Sequence, residues 1–540
     1  MKILAIVAAV ALGAATAASA QAAPLPSQSA ADSPSDNVCT GAGISQALAG
    51  AQPGDLLAPP QDVTAESQLA TGRLYRVAYA TTGSADSVVA SCGLVAVPDA
   101  GDLPGGAVKG VVAWAHGTLG VAEQCQPSMN PTTFVGPMPS GIGSVTKKGP
   151  QSNGALVNML KDGYAVVATD YPSAGVGSND LQRYVLGVAQ GLAVLDSART
   201  LTRNAESFGL AAIRSDAALP LVTWGHSQGG LAALWAGQLA SQYFTHEGDK
   251  SLDLAGVAAE APASQFTTSP GQPQAYLGKH LGDRDIYNFK PGLGLPFPIA
   301  VAFFSFATMS WSQVENATSG AFPFGPTASV DYTDVLSTQG QKTAPKINQL
   351  CLNKSDLTPM YTTAFPYLFP DYSRFFAAPF AGSKVDGTWQ GAFDATCDNP
   401  SGYAQSVRDW CAWLQFNMPG PNGVNSYSKL PRDNDGAKVP IYLAQGRNDK
   451  IIWCVDNQGK VQGTDCLTDQ LFHSLEGAYC DGTGYLEVDY FPGATHLNVP
   501  NHAARTPITR RYSGSPVDDF VRGAMGGSLQ PMCSADPDAS

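Results

Sequence analysis

Ser227, which lies between two glycines, could act as a nucleophile. The stretch VTWGHSQGGLAAL (222–234) contains a G-x-S-x-G motif with an apolar run before it and small, helix-forming residues after it. This pattern predicts the strand–turn–helix arrangement called a nucleophile elbow, in which the serine backbone is strained and neighbouring side chains would clash. The turn would lift the hydroxyl above the carboxyl edge of a sheet. Because Gln228 would begin the helix, its free backbone N–H is a predicted oxyanion donor. A glycine-rich turn that only joins the two elements is the alternative.

A nucleophilic serine needs a base, and the base needs an acid that orients it. With an elbow of this kind, the chain order is serine, acid, histidine. Asp449 follows the apolar stretch VPIYLAQG, and His496 follows YLEVDYF. Both therefore come just after a predicted strand, as Ser227 does. We expect His496 to accept the serine proton and Asp449 to hold the other imidazole nitrogen.

Other side chains compete with this assignment: His226, His473, His502 and Asp456. The histidine within the elbow should point away from the reaction if the serine points towards it, so we interpret it as structural. One of the other histidines falls inside a predicted helix and the other follows His496. Either could be the base or an ordinary surface or packing residue. The aspartate lies farther from its strand than Asp449 does.

A second oxyanion donor should follow an early strand. In AWAHGTLG, His116 and Gly117 allow a tight turn after an apolar run, and the amide of Thr118 is the expected donor. The alternative is that this segment is only a turn. Asp170 follows another strand and could contact the His116 loop or the rim of the site. Such an aspartate more often satisfies nearby backbone groups, so we leave it out of the catalytic set.

These residues require a sheet that brings them to one edge. Two stretches rich in Val, Tyr and Thr predict an antiparallel hairpin. After it, continuous apolar strands alternate with helical patterns, which predicts an α/β fold with a mostly parallel sheet covered by helices. The predicted strands are 72–82, 87–98, 110–115, 164–169, 219–224, 254–262, 439–446 and 485–491, and the predicted helices are 154–163, 180–201 and 469–476.

Regular alternation stops between about Ser264 and Ala437, where the chain is rich in Pro, Gly and aromatic residues. A structureless loop of that length is implausible in a compact domain. We therefore predict an inserted, partly helical cap. Two strongly apolar stretches within it, 291–311 and 365–380, could line an ester pocket or form the cap's own core.

The composition excludes some classes of protein. Charged residues make up 14% of the chain, against about 25% in typical globular proteins. The net charge of −13 and the lack of basic runs argue against nucleic-acid binding. Lys2, the apolar stretch 3–15 and small residues near 18–22 predict a signal peptide rather than a buried helix. The apolar stretch is too short to span a bilayer stably, which takes ~20 residues.

The ten cysteines also fit an exported protein. None forms a C-x-x-C pair, which argues against thiolate zinc sites and thioredoxin-like chemistry. An even number in an oxidising compartment predicts disulfides. Cys454 and Cys466 are a plausible local pair, and the remaining connectivity does not follow from the sequence.

Several stretches resemble the α/β-hydrolase superfamily and, within it, the secretory lipase family of fungal lipase A-like enzymes. They are WAHGT, DGYAVVATDYPSAGVG, WGHSQGGLAALWA, GRNDKII and ATHLNV. The resemblance covers the core on both sides of the insertion and is poor within it. It implies a Ser227–Asp449–His496 triad, no cofactor or metal, and ester hydrolysis beneath a cap. The expected organisation is a signal peptide (1–23), a hydrolase core in two parts (24–264 and 438–540) and a cap (265–437).

The resulting hypothesis is a secreted serine carboxylester hydrolase that acts on a small-molecule or lipid ester. The same triad would serve a secreted aminopeptidase of this superfamily, in which Asp371 or Asp386 of the cap could bind the substrate amine. A third alternative is a binding protein on the hydrolase fold. Such proteins usually lack a triad member, whereas this chain has all three.

Overall fold

The structure is a computed structural model. It describes residues 37–40, 43–136, 145–146, 149–150, 154–172, 181–211, 218–267, 296–352, 359–360, 363, 374–378, 380, 383–385, 388–390, 397, 399–454, 466–503 and 515–536. The predicted signal peptide lies outside these residues. Val38–Ser540 form one unit.

Within the described residues, ten strands form one sheet. They are β1 (Gln61–Asp62), β2 (Arg73–Thr82), β3 (Val88–Val97), β4 (Val111–Ala115), β5 (Ala165–Thr169), β6 (Leu219–His226), β7 (Leu252–Glu260), β8 (Ile441–Gly446), β9 (Tyr485–Phe491) and β10 (Met532–Asp536). Their spatial order is β1-β2-β3-β5-β4-β6-β7-β8-β9-β10. The first three strands and the β3–β5 pair are antiparallel, and every pair from β5 to β10 is parallel.

This architecture confirms the predicted α/β class. The hairpin of β2 and β3 pairs Arg73 with Val97 and Thr82 with Val88. The central strands are buried on both faces, which is why they appear in the sequence as continuous apolar runs. In parallel strands the carboxyl ends meet at one edge, so the residues after β4, β6, β8 and β9 gather there. The terminal strands β1 and β10 were not predicted.

Helices cover both faces of the sheet. They are α1 (Ile44–Ala47), α2 (Thr64–Ser67), α3 (Pro131–Val135), α4 (Ala155–Lys161), α5 (Gly187–Arg203), α6 (Gln228–Glu247), α7 (Pro296–Trp311), α8 (Thr338–Ile347), α9 (Gln405–Phe416), α10 (Leu467–Tyr479), α11 (Val499–Ala503) and α12 (Pro516–Met525). One buried cluster contains residues of α5, α6 and α10, and a second contains residues of α4, α11 and α12. No helix in the described parts of the chain is long and apolar enough to cross a membrane.

The segment between β7 and β8 is partly helical, as expected, and contains α7, α8 and α9. The predicted apolar stretch 291–311 forms α7 from Pro296 onward. Of the stretch 365–380, only 374–378 and 380 are described, and three phenylalanines there are buried: Phe375, Phe376 and Phe380. Buried residues from this segment share one cluster with α5 and α6, so the segment packs on that face of the core.

All ten cysteines form disulfides: Cys39–Cys92, Cys125–Cys351, Cys397–Cys411, Cys454–Cys466 and Cys480–Cys533. The predicted Cys454–Cys466 pair is therefore confirmed. Cys125–Cys351 links the loop after β4 to the segment between β7 and β8.

Candidate active site

Ser227 occupies a sharp turn between β6 and α6. Its φ of 59° lies in the left-handed region, where a non-glycine residue is strained. A Cβ on Gly225 would lie 2.2 Å from the carbonyl oxygen of Gly229, and one on Gly229 would lie 1.8 Å from that of Ala115. The strained serine and the two glycines without room for side chains confirm the predicted elbow geometry.

The structure brings the three predicted side chains together at the carboxyl edge of the sheet. His496 Nε2 lies 2.9 Å from Ser227 Oγ. On the other side of the ring, His496 Nδ1 lies 2.9 Å from Asp449 Oδ2. With Nδ1–H donating to the carboxylate, Nε2 is free to accept the serine hydroxyl. Ser227, His496 and Asp449 are all buried.

Asp449 is held by donors other than the histidine. Its Oδ1 accepts the backbone N–H groups of Ile451 and Ile452 at 2.8 and 2.9 Å. Its Oδ2 also accepts from Gln445 Nε2 at 3.0 Å. Four donors therefore converge on one buried carboxylate, which fixes its orientation towards the imidazole. The role of Gln445 could not be predicted from the sequence, because a glutamine within an apolar strand carries no distinctive signal.

A second histidine, His226, contacts the backbone and the ring of His496. His226 Nε2 donates to the backbone carbonyl of His496 at 2.9 Å, and the two rings lie 4.7 Å apart. Burial holds the pKa of His226 well below its usual value, so the ring stays neutral. The expected structural role of His226 fits these contacts.

The two predicted oxyanion donors lie at the same pocket as the nucleophile. Gln228 is the first residue of α6, where backbone N–H groups lack partners within the helix. Thr118 follows β4, and its Oγ1 lies 2.9 Å from the hydroxyl of Tyr184. Thr118, Gln228 and Ser227 all line one pocket.

His116, two residues before Thr118, donates through Nδ1 to the carbonyl of Gly117 at 2.7 Å. Burial lowers the pKa of His116 to about 4.

The pocket beside Ser227 is mainly apolar. α7 contributes Phe303, Phe304, Ala307, Thr308 and Trp311, and the remaining apolar lining comes from Val185, Ala263, Phe266, Val335, Trp410, Leu414, Ile451 and Ile452. The lining includes no charged side chain among the described residues. Such a surface suits an apolar ligand with few polar groups.

The competing residues lie elsewhere or outside the described residues. His473 is exposed and contacts Glu476 and Asp469, which raise its pKa. His502 packs against the ring of Phe491 at 5.8 Å. Three acidic candidates lie outside the described residues: Asp371, Asp386 and Asp456.

Asp170 satisfies neighbouring groups, as expected. It is buried and accepts from the backbone N–H and the hydroxyl of Ser128, while burial raises its pKa to about 6.

One group of side chains of the kinds that bind metal ions occurs in the described part of the chain, at Glu476, Cys480 and Cys533. Its two cysteines form a disulfide, so their sulfurs are not available as thiolate ligands.

Comparisons with known proteins found a matching sequence family and a relative. Residues 151–270 match the family model described as Secretory lipase. Lipase 1 of Candida albicans is 36% identical over 88 residues, which is 16% of this chain and 16% of that protein. The predicted resemblance to secretory lipases is confirmed.

The solved structures that match this chain have the same fold. Candida antarctica lipase A in its closed state superposes with a TM-score of 0.54 at 15% identity, covering 95% of this chain and 91% of that chain. A second structure of Candida antarctica lipase A gives a TM-score of 0.50 at 14% identity, covering 91% and 87%. At this identity the likeness shows an α/β-hydrolase fold.

Proposed function

We propose that the protein is a secreted serine carboxylester hydrolase. The observation that carries this proposal is the hydrogen-bonded series Ser227, His496 and Asp449, which opens onto an apolar pocket. A nucleophile, a base within hydrogen-bond reach of it and an orienting carboxylate are the parts that acyl transfer requires. The secretory lipase match and the lipase names of the relatives favour an ester as the substrate.

In the first half of the reaction, Ser227 Oγ attacks the ester carbonyl carbon and its proton passes to His496 Nε2. The carbonyl oxygen becomes an oxyanion, for which the backbone N–H groups of Gln228 and Thr118 are the proposed donors. Asp449 stabilises the imidazolium that forms. When the tetrahedral intermediate collapses, the bond to the alkoxide breaks, and His496 returns its proton to the leaving alcohol.

In the second half, water replaces the alcohol. His496 accepts a proton from water as its oxygen attacks the acyl-enzyme carbonyl. Collapse of this second intermediate releases the carboxylic acid, and the proton returns to Ser227. Every step uses side chains and backbone groups of this chain, and the proposal invokes no metal or cofactor.

The substrate and the location belong to the same proposal. The apolar lining suits the acyl or alcohol part of a small-molecule or lipid ester. We also propose that residues 1–23 are a signal peptide and that the protein is exported, which fits the disulfides and the secretory lipase match. The assignment of residues 265–437 as a cap is part of the same proposal.

Replacement of the nucleophile tests the proposal. Ser227→Ala should lower the kcat for a p-nitrophenyl ester by ~10⁶-fold, because the triad acts as a unit. Ser401→Ala, at an exposed serine of the segment between β7 and β8, is the matched control and should retain wild-type kcat.

Covalent labelling gives an independent readout. A fluorophosphonate should label Ser227 in the wild type and leave Ser227→Ala unlabelled. Unchanged ester turnover in Ser227→Ala would overturn the proposal, and failure to label the wild-type protein would favour a binding protein. A parallel assay with an aminoacyl anilide tests the aminopeptidase alternative, which requires the anilide to be the better substrate.

A further inference from the structure

Residues 181–184, here called the strap, lie just before α5 and contact three parts of the site at once. The backbone N–H of Gln182 donates to the carbonyl of Val121 at 3.0 Å, which ties the strap to the loop after β4. The backbone N–H of Arg183 donates to the carbonyl of Pro172 at 2.8 Å. The strap is thus anchored to two segments that follow strands of the sheet.

A series of buried glutamines runs from the elbow through the strap. Gln228 Nε2 donates to Gln182 Oε1 at 2.8 Å, and Gln182 Nε2 donates to Gln126 Oε1 at 2.9 Å. Gln182 Nε2 also donates to the carbonyl of Asp170 at 2.9 Å. All three glutamines are at most 7% exposed, so these bonds have little competition from bulk water.

The direction of this series is fixed at its ends. A backbone carbonyl can only accept, so the group of Gln182 that faces Asp170 must be its NH₂. The oxygen of Gln182 therefore faces Gln228, which must donate. At the other end, Gln126 Nε2 donates to the carbonyl of Ala122 at 3.2 Å. The side chain of Gln228, whose backbone N–H is a proposed oxyanion donor, is thus held in one orientation by Gln182.

The strap also holds the second proposed donor. The hydroxyl of Tyr184 lies 2.9 Å from Thr118 Oγ1. Thr118 and Gln228 come from separate elements, the loop after β4 and the start of α6. Through Gln182 and Tyr184, the strap is hydrogen-bonded to both.

The opposite side of the strap carries α7. Ser310 Oγ donates to the carbonyl of Gln182 at 2.7 Å and accepts the backbone N–H of Tyr184 at 2.8 Å. Trp311 Nε1 donates to the carbonyl of Tyr184 at 2.9 Å. The helix that forms one wall of the pocket is therefore seated on the same residues that hold the oxyanion donors.

We propose that Gln182 is a positioning residue for the transition state. Through the strap, it connects the hydrogen bonds that hold α7 to the relative positions of the Gln228 and Thr118 backbone donors. This inference rests on the proposed esterase function. Oxyanion donors contribute most when they are already aligned where charge develops. A displacement of a positioned group by about 1 Å can cost on the order of 10²-fold in rate. Loss of the hydrogen bonds between the strap and the donor residues should therefore lower kcat.

The test replaces Gln182 with a residue of similar length that has no amide. Gln182→Met should lower the kcat for a p-nitrophenyl ester by about 10- to 100-fold and leave KM within about threefold of wild type. The matched control is Gln238→Met. Gln238 is a buried glutamine of α6 that bridges Ser428 and Gly420, roughly 15 Å along the helix from Gln228. The Gln238→Met variant should lower the midpoint temperature of unfolding without lowering kcat.

An inhibitor that forms an oxyanion separates positioning from general damage. With a trifluoromethyl ketone, Ser227 Oγ bonds to the ketone carbon, its proton passes to His496, and the former carbonyl oxygen becomes an oxyanion. In Gln182→Met the inhibition constant should rise by the same factor by which kcat/KM falls, as expected for a loss confined to the transition state. Affinity for a simple long-chain alcohol should stay unchanged.

Two serines near the C-terminal end of α7 test the link between the strap and this helix. Ser310→Ala removes both bonds to the strap and should lower kcat in the same direction as Gln182→Met. Ser312, the residue directly after α7, donates through Oγ to the carbonyl of Thr308 at 2.7 Å rather than to the strap, so Ser312→Ala should retain wild-type kcat.

Three outcomes would overturn the inference: wild-type kcat in Gln182→Met, an equal loss of kcat in Gln238→Met, or an unchanged inhibition constant for the ketone. Each would leave the proposed function intact, provided that the wild-type enzyme hydrolyses the ester and is labelled at Ser227. Absence of activity in the wild type would instead end the proposed function itself.

Discussion

The sheet edge and α7 meet at the same pocket but are held in different ways. At the edge, each chemical group follows a strand end and is fixed by several directional bonds, as the four donors around Asp449 illustrate. The residues that α7 presents to the pocket are mostly apolar, and its end is hydrogen-bonded to the strap through Ser310 and Trp311. The edge is therefore suited to set the rate of the reaction, and α7 to select the substrate.

The strongest test of this contrast is at Asp449. Asp449→Asn keeps the shape of the side chain but removes the charge, and it favours the imidazole tautomer that cannot accept the serine proton. The kcat should fall by about 10⁴-fold, and by the same factor for acetyl and for decanoyl esters. Kinetics on both p-nitrophenyl esters provide the measurement.

The control for that change lies at another buried carboxylate. Asp196 accepts from Thr81, Thr82, Tyr243 and Arg199, none of which is a triad residue, and Asp196→Asn should affect the free energy of unfolding more than kcat. A loss in Asp449→Asn that depends strongly on acyl length would contradict the division between edge and helix.

The sheet edge was also the more predictable region. Buried parallel strands appear as unbroken apolar runs, and the reactive residues stand directly after them, so order and spacing were enough to place Ser227, Asp449 and His496. The strap was not predictable. The pattern at 180–201 favours a helix throughout, yet α5 begins only at Gly187, because residues 181–184 bond to α7 and to the loop after β4 instead. Those partners are distant in sequence.

Two further differences have similar causes. β10 contains MCSAD, which lacks the apolar run of a central strand. It is the outermost strand of the sheet, where pairing with β9 and the Cys480–Cys533 disulfide hold it. Of the disulfides, Cys454–Cys466 spans 12 residues and could be inferred locally, whereas Cys125–Cys351 spans 226 and depends on how the chain returns over the core.

A change in α7 should alter substrate choice rather than the chemical step. Ala307 is half-buried and lines the pocket, so Ala307→Phe should fill space that a long acyl chain would use. The kcat/KM for a decanoyl ester should fall by roughly tenfold relative to that for an acetyl ester.

The matched control is Met309→Phe, at a half-buried position of the same helix that is not among the described lining residues of the pocket. It should leave the ratio of the two esters unchanged. If Ala307→Phe slows both esters equally, α7 acts on the reaction centre and the contrast with the sheet edge fails.

The smallest expected effect on activity concerns a second carboxyl group at the sheet edge. Glu260, the last residue of β7, is fully buried, and in contrast to Asp449 it has few donors around it. Burial raises its pKa from 4.5 to about 8, with a contribution from Asp518 and an opposing one from the Trp224 side chain. Between these two values the folded state binds a proton that the unfolded state has released, so stability falls as the pH rises.

Glu260→Gln should remove this dependence, because an amide stays neutral. Compared with the variant, the wild-type protein should lose roughly 3 kcal/mol of unfolding free energy between pH 5 and pH 8, measured by urea unfolding with the disulfides intact. Glu206→Gln, at an exposed position, is the control and should show a constant difference from wild type. A difference between wild type and Glu260→Gln that stays constant with pH would mean that Glu260 is ionised in the folded protein. The edge would then stabilise a buried carboxylate without the converging donors that surround Asp449.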